Sequence, residues 1–547
     1  VVEKAKDIID LFDREWHASQ NFLNLYQETA DYVYPLEDQI TRIDTGARPR
    51  AINLVDTTAI FAAQDMASGL SALLFPPGQQ NFAIRSSDRE LNETEEVQRY
   101  LSRFTEIMHD KLFESNFMMQ LDQVLMSWLV FGEGCLKSER GEATDIVFQD
   151  YPAGSFVYLE NHDHKIDTFI EKFKWTARQC VEKWGAGAVG EKIRKAYEAP
   201  ETRQTKFDII HLVGPRHERD MSKKIGNSII QSEMPFTDVY VAVKDKHIII
   251  EGGYDEFPFA IGRYKKSSRE HRGRGIGSFV LPMVKSLQAI KRDFIESGNR
   301  RNRPPLEVTS ESEGQISLDP GALNFTGAER QSIFPIQGVG GDYNSTKDII
   351  EMEREEIRKA FMLDVFNQLT QLQGDRRTTL EISERLNEGL RRLTQPVGRL
   401  IPEVLSPAIN RVALMLIRND ETLSPPEALE GTKFKVEYTS PMMLALKRHQ
   451  ASAFSSWMEF VAGVEEVFPG SRDNVNIDKG VRDMGLAFGV KEDHIRPQQE
   501  VDEIREQRQA QAEQQAELEA LQVQAQAYGQ GTTAPEQGSA AGEVLGQ

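Results

Sequence analysis

The sequence predicts an α+β fold that is predominantly helical. Apolar residues recur at helical spacing from residue 1 to about 130 and again from Thr346 to Arg418, whereas short runs rich in β-branched and aromatic residues occupy the stretch from about Ile146 to Tyr264. Ala, Val, Ile, Leu, Met, Phe, Trp, Tyr and Cys together make up 39% of the chain and glycine adds 39 of 547 residues, which is enough to build ordinary cores. A chain of this length exceeds what one core serves, so about three or four modules are expected.

In chain order, helices are expected around Ile8 to Phe12, Phe22 to Tyr34, Ile60 to Leu74 and Val97 to Phe113, with Pro76, Pro77 and Gly78 stopping the third. Phe117 to Phe131 is a further buried helix ended by Gly132 and Gly134. The runs IVFQDY, SFVYLE, DTFIEKFKW, FDIIHLV and VYVAVKDKHIII then read as strands, interrupted by a helical patch from Ala177 to Tyr197. Leu281 to Arg301 returns to helix, with Leu281, Val284, Leu287, Ile290, Phe294 and Ile295 on one side and Lys285, Arg292, Glu296 and Arg300 on the other. Pro304 and Pro305 end it, and residues 306 to 345 suit a small β insertion before the next helix.

From Thr346 onward, Ile350, Ile357 and Phe361 share one face of a highly charged helix. The polar segment Asn367 to Arg377 has little to bury and is expected to move. Leu386, Leu390, Leu393, Val397, Leu400 and Val404 then mark a long helix buried on a wide face, with a kink expected near Gln395 because Pro396 and Pro402 interrupt it. KFKVEYTSPM is a strand, helices follow from Met442 to Phe468 and Ile477 to Phe488, and beyond Pro497 the chain becomes a Gln- and Ala-rich helix and a flexible tail.

Composition and motifs exclude several function classes. No uninterrupted apolar run approaches the ~20 residues of a membrane span, and the N-terminus lacks an export signal, so no membrane insertion is expected. Cys135 and Cys180 alone give neither a disulfide framework nor a four-cysteine zinc site and suit small buried hydrophobes. GAGAVGEK at Gly185 to Lys192 fails as a phosphate loop because Glu191 stands where the lysine belongs. RGRGIG at Arg272 to Gly277 reads as a flexible approach to the next helix, NHDH at Asn161 to His164 as a turn, and His211 and His217 as structural. No catalytic constellation, metal set or cofactor motif is legible, so no enzyme is expected.

A net charge of −20 argues against a protein that coats nucleic acid. The charge is uneven, however: Arg263 to Arg303 carries twelve Lys and Arg against Glu270, Asp293 and Glu296, a balance of +9 that leaves −29 elsewhere. The part from Arg263 to Arg274 is weighed evenly between a solvated face and a binding surface. Lys285, Arg292 and Arg300 share a helical face, and multiplied around a ring they would make weak circles of positive charge.

Several segments taken together resemble the head-to-tail connector, or portal, family of short-tailed phages. They are TTAIFAAQDMASGLSALLFPPGQQNFAIR, SWLVFGEGCL, FKWTARQCVEKWG, IIHLVGPR, DEFPFAIGRYKKSS, GRGIGSFVLPMVKSLQAIKR and RTTLEISERLNEGLRRLTQPVGRLIPEVLSPAINRVALMLI, in this order over most of the chain. The resemblance implies a portal fold assembled as a ring, a dodecamer in the virion, at one capsid vertex. It implies a wing at 1–270, whose helical part precedes an α+β part, with a return at 421–441. Stem helices at 271–303 and 346–366 would flank a clip at 304–345. A tunnel loop at 367–378, a long kinked helix at 379–420, a crown at 442–496 and a tail at 497–547 would complete it.

On that reading Lys285, Arg292, Arg300, Gln368, Gln371, Gln373, Arg376 and Arg377 are candidates to face a DNA channel, and Pro396 is a candidate hinge. The implied partners are double-stranded DNA, the terminase large subunit, tail adaptor and nozzle proteins, major capsid and scaffolding proteins, and internal core or ejection proteins. The protein would be made in the host cytoplasm. The competing expectation is a passive structural capsid or tail-tube protein with no DNA channel.

Overall fold

The computed structural model describes residues 2–42, 54–76, 79–88, 90–141, 146–220, 222–225, 228–302, 306–308, 333–335, 343–364, 392–393, 395–419, 423–429, 431–439, 454–455, 457–465, 468, 470–487, 496 and 498–530. The chain forms two compact units, one of Val1–Gln79 with Ile107–Ser424 and the other of Gln80–Glu106 with Pro425–Gln547. Helices and strands are mixed, as the α+β expectation requires.

In the first unit, α1 (Val2–Ala18) is amphipathic, and Ala5, Ile8, Ile9 and Phe12 bury one face. That face packs on an antiparallel five-stranded sheet built from β4 (Phe156–Glu160), β5 (Ile166–Thr176), β6 (Lys206–Pro215), β9 (Phe236–Ala242) and β10 (His247–Tyr254), in the order β10-β9-β6-β5-β4. Val157, Ile170, Ile210, Val239 and Val241 supply the sheet side of this core. The opposite face meets a three-stranded sheet of β2 (Glu133–Glu139), β3 (Val147–Tyr151) and β11 (Phe259–Arg263), where Phe169 stacks on Phe259 with ring centroids 3.7 Å apart. The helical patch is two short helices, α6 (Ala177–Trp184) and α7 (Glu191–Glu198), and the first is closed by a capping box between Thr176 and Gln179. A short hairpin, β7 (Lys224–Ile225) and β8 (Ser228–Ile229), precedes β9.

Around these sheets lie α2 (Gln20–Val33), α3 (Thr58–Leu74), α5 (Phe117–Val130), α8 (Ile276–Asn302) and α9 (Tyr343–Ala360). α8 begins five residues before the expected start and contains Pro282. The expected β insertion is present as β12 (Leu306–Val308) paired with β13 (Ile333–Pro335). α4 (Glu95–Glu114) spans residues of both units. In the second unit, β1 (Phe82–Ser86), a strand too short to stand out in the sequence, pairs with β14 (Phe434–Tyr438), and Phe104 lies 6.3 Å from Phe434. That unit also holds helical residues 457–465, the helix Ile477–Ala487 and the helix Gln498–Gln530, whose described side chains are mostly exposed.

Two expectations are corrected. The run from Arg263 to Arg274 is not a solvated face throughout: Lys265, Arg269 and His271 are exposed, but Arg263 and Arg272 are buried, and Arg274 pairs with Glu270 at 2.6 Å. Nor is RGRGIG flexible. Arg272 donates to Glu133 at 2.7 Å, to Ser19 Oγ at 3.0 Å and to the Phe156 carbonyl at 2.9 Å, while Glu133 also accepts from Tyr158 and from the Gly273 amide. A Cβ on Gly275 would lie 2.5 Å from the carbonyl oxygens of Leu129 and Val130, so only glycine fits that approach. The NHDH segment is a turn, with the Asn161 side chain accepting from the amides of Asp163 and Lys165, and both cysteines are buried and free.

His211 has acid partners that its own neighbourhood in sequence does not offer. It is fully buried between Glu171 on β5, 3.1 Å from Nδ1, and Asp238 on β9, 2.8 Å from Nε2, and it stacks on Tyr240. Burial pushes its pKa down, but the hydrogen bonds to Asp238 and Glu171 outweigh burial and the nearby Lys137, so the pKa is raised and the imidazolium can donate to both carboxylates. Its contribution to stability is complete below the unfolded-state pKa near ~6.5 and is lost as pH rises through the raised folded-state value. The urea midpoint of this unit is expected to fall as pH is raised from about 6 to 9. His211→Gln should flatten that slope, and a slope equal to wild type in the variant counts against the assignment.

Candidate nucleic-acid interface

Helices α8 and α9 pack side by side, with Phe294 of one against Tyr343 of the other at 4.4 Å between ring centroids. The faces foreseen from periodicity are buried at Leu281, Val284 and Leu287 on α8 and at Ile350 and Ile357 on α9, whereas Ile295 is exposed. A buried acid ties the pair together. Asp56 Oδ2 accepts from Lys291 Nζ at 2.9 Å and from Arg354 Nη2 at 2.8 Å, so one carboxylate holds a cation from each helix. Gln288 completes the clamp by accepting from the Val55 and Asp56 amides and donating to the Asp56 carbonyl. Burial raises the Asp56 pKa, but hydrogen bonds from Thr58, Lys291 and Arg354 outweigh it and hold the carboxyl well below the usual carboxylate range.

The three basic candidates of α8 sit in different surroundings. Lys285 is half-buried, paired with Glu28 and placed over the Tyr32 ring; Arg300 is exposed and bonded to Glu296 at 2.5 Å; Arg292 is exposed. Lys285 and Arg300 therefore each carry an acidic partner from their own chain, which lowers the local positive potential. Gln368, Gln371, Gln373, Arg376 and Arg377 lie outside the described residues.

The apolar run continues through Gln395–Arg418, where Leu400, Val404, Leu405 and Val412 are buried. By length and composition this helix could cross a membrane, but 56% of its most apolar window is buried inside the protein. Arg411 turns inward from it to donate to the Ser138 and Glu256 carbonyls. These features make it a core helix. Pro396 lies in its first described turn, and the departure from regular α-helix among the described residues is a π turn at Ile401–Leu405, which contains Pro402. Glu403 of that turn accepts from the Arg263 amide at 2.7 Å and from its guanidinium at 2.9 Å, fixing the helix to β11.

No group of three or more His, Cys, Asp or Glu among the described residues is placed to hold a metal ion. The geometry is that of a packed helical pair held together at Asp56, with the long helix linked by charge to β11. The sequence profile of the bacteriophage head to tail connecting protein family matches residues 5–495. The chain belongs to that family. It is similar to the portal protein of Salmonella phage epsilon15, at 25% identity over 92% of this chain and 91% of that protein. It is also similar to a probable portal protein of Bordetella phage BPP-1, at 23% identity over 91% of this chain and 90% of that protein.

For this connector family member, Asp56, Glu403, Arg263, Glu133 and Arg272 were not among the candidates from sequence. The signal available was a lone acid inside an apolar stretch, as in NLVDTT and VFGEGC, since an acid is rarely buried without a partner. Asp56→Asn keeps the volume and removes the charge that both cations share. It should cost about 2–3 kcal/mol, discounted because Lys291 and Arg354 keep some exposure. Urea unfolding monitored by circular dichroism measures this, and a loss below about 0.5 kcal/mol would place the clamp among neutral surface pairs.

Proposed function

We propose that this chain is a phage portal subunit whose copies form a ring at one capsid vertex, with an axial channel for packaging, retaining and ejecting double-stranded DNA. The family match over residues 5–495 carries this reading. A connector of this kind is a component of the phage particle with capsid and tail partners, and it works as an oligomer. In finer detail we assign a dodecamer that docks the terminase large subunit during packaging and the tail adaptor and nozzle afterwards.

On this reading α8 and α9 are the stem, and the insertion carrying β12 and β13 is the clip. Residues 367–378 are the tunnel loop, Gln395–Arg418 is the part of the long helix behind it, and residues 1–270 with β14 form the wing. The acidic excess suits a conduit. Twelve copies at −20 each bring about −240, and a wall that repels phosphate lets a duplex slide where a basic coat would hold it. Lys285, Arg292, Arg300, Gln368, Gln371, Gln373, Arg376 and Arg377 are the proposed sparse contacts, and Pro396 the hinge.

Negative-stain micrographs of the purified protein should show closed rings with an axial hole; solid or open assemblies would favour a passive structural part instead. Replacing Arg376 and Arg377 together by Glu should reduce packaged or retained DNA while rings still form. Wild-type genome content in particles carrying that variant would remove these two residues from the channel.

A further inference from the structure

Beside the π turn, the first unit holds an open cleft of about 730 Å³ between residues 264–266 and the stretch 395–403 of the long helix. Four cations gather there around two carboxylates. Arg263 and Lys266 both bond Glu160, Arg263 also takes Glu403, and Arg399 reaches Glu403 only at 3.8 Å. Lys265 lies over the Tyr264 and Phe279 rings and has no carboxylate partner among the described residues. Arg399 Nη1 is shielded from solvent and has no hydrogen-bond partner among the described residues. Burial, and to a lesser degree the nearby Arg263 and Arg399, hold the Lys266 pKa down.

We propose that this cleft is a binding site for phosphate-type anions, with the Arg399 guanidinium and the ammonium groups of Lys265 and Lys266 as the donors. Three donors of two geometries, one planar and two pointlike, suit a tetrahedral oxyanion. The cleft exceeds what one phosphate fills, so a phosphodiester chain or a polyphosphate fits better than a single ion. An anion held there bridges the end of β11 to the helix at Pro396 and adds a link across the same gap that Glu403 and Arg263 already span. That DNA is the natural source of the phosphate rests on the portal reading; the ability of the cleft to hold the anion does not.

The test uses the full-length assembled protein with two probes, pyrophosphate by titration calorimetry and a short duplex DNA by fluorescence anisotropy. Lys265→Gln removes no ion pair, and Lys265→Gln with Arg399→Gln leaves the Arg263–Glu403 contact in place, so folding is preserved and is checked by the melting curve. The double variant should bind pyrophosphate about tenfold more weakly or worse, and the single variant should fall between it and wild type. Lys183→Gln, on exposed surface away from the cleft, should bind as wild type does.

If pyrophosphate also displaces the duplex from wild type but not from the double variant, DNA phosphate is the occupant. If pyrophosphate binds in a Lys265- and Arg399-dependent way and never competes with DNA, the cleft stands as a site for a free phosphate compound. Wild-type pyrophosphate affinity in the double variant, or no pyrophosphate binding by wild type, overturns the proposal. Micrographs of the same samples report on the ring independently, so failure of the cleft and failure of the portal reading are told apart.

Discussion

The buried pair of Arg272 and Glu133 is the constraint on which the first unit is arranged. Both side chains are buried, and between them they bond Ser19 ahead of α2, the strand residues Phe156 and Tyr158, and the Gly273 amide ahead of α8. Burial alone would lower the pKa of Arg272, but the charge of Glu133, with Tyr26 and Tyr158, outweighs it and keeps the guanidinium charged. Such a pair adds little net stability compared with an apolar replacement, but removing one partner leaves an uncompensated buried charge at a cost of roughly 3–5 kcal/mol. Its role is therefore selection: it permits one arrangement of helices and sheet and penalises the rest. The glycines beside it serve the same end by letting backbone meet backbone.

The same division of labour recurs along the route from α8 to the long helix. Apolar burial supplies the bulk of the energy, since each of Leu400, Val404, Leu405 and Val412 contributes ~1.5–3 kcal/mol when fully buried. Charge then chooses position. Asp56 sets α9 against α8, Glu403 sets the π turn against β11, and Arg411 and Arg418 tie the end of the helix to Glu256. A π turn has one residue more per turn than regular helix and so re-aims the side chains on either side of it. With Pro402 inside it, it puts the irregularity of this helix some five residues past the position that Pro396 suggests. A helix anchored at such a turn has a natural place to bend.

Much of this was legible in the sequence. The helices of residues 1 to 130 and the β-rich middle follow from apolar periods of 3.6 and 2, because burying one face of an element requires that spacing wherever the element lies. The family was legible for a related reason: many weakly specific segments in a fixed order carry a resemblance that no single motif would decide. Of the candidate contacts, the sequence could offer residue types and helical faces. It could not show that Lys285 meets Glu28 or that Arg300 is held by Glu296, so it overstated how bare their charges are.

What the sequence by itself determined is therefore the α+β class, the order of elements, the core faces and the connector family, all of which depend on local spacing and chain order. Only the tertiary structure decided which charges face inward. Arg263 and Arg272 look like part of a basic surface run and are buried, because Glu403 lies 140 residues and Glu133 lies 139 residues away in the chain. His211 looks isolated and is held by acids from two neighbouring strands. A charge is neutralised by whatever folding brings within about 4 Å, and no reading of neighbours along the chain contains that distance.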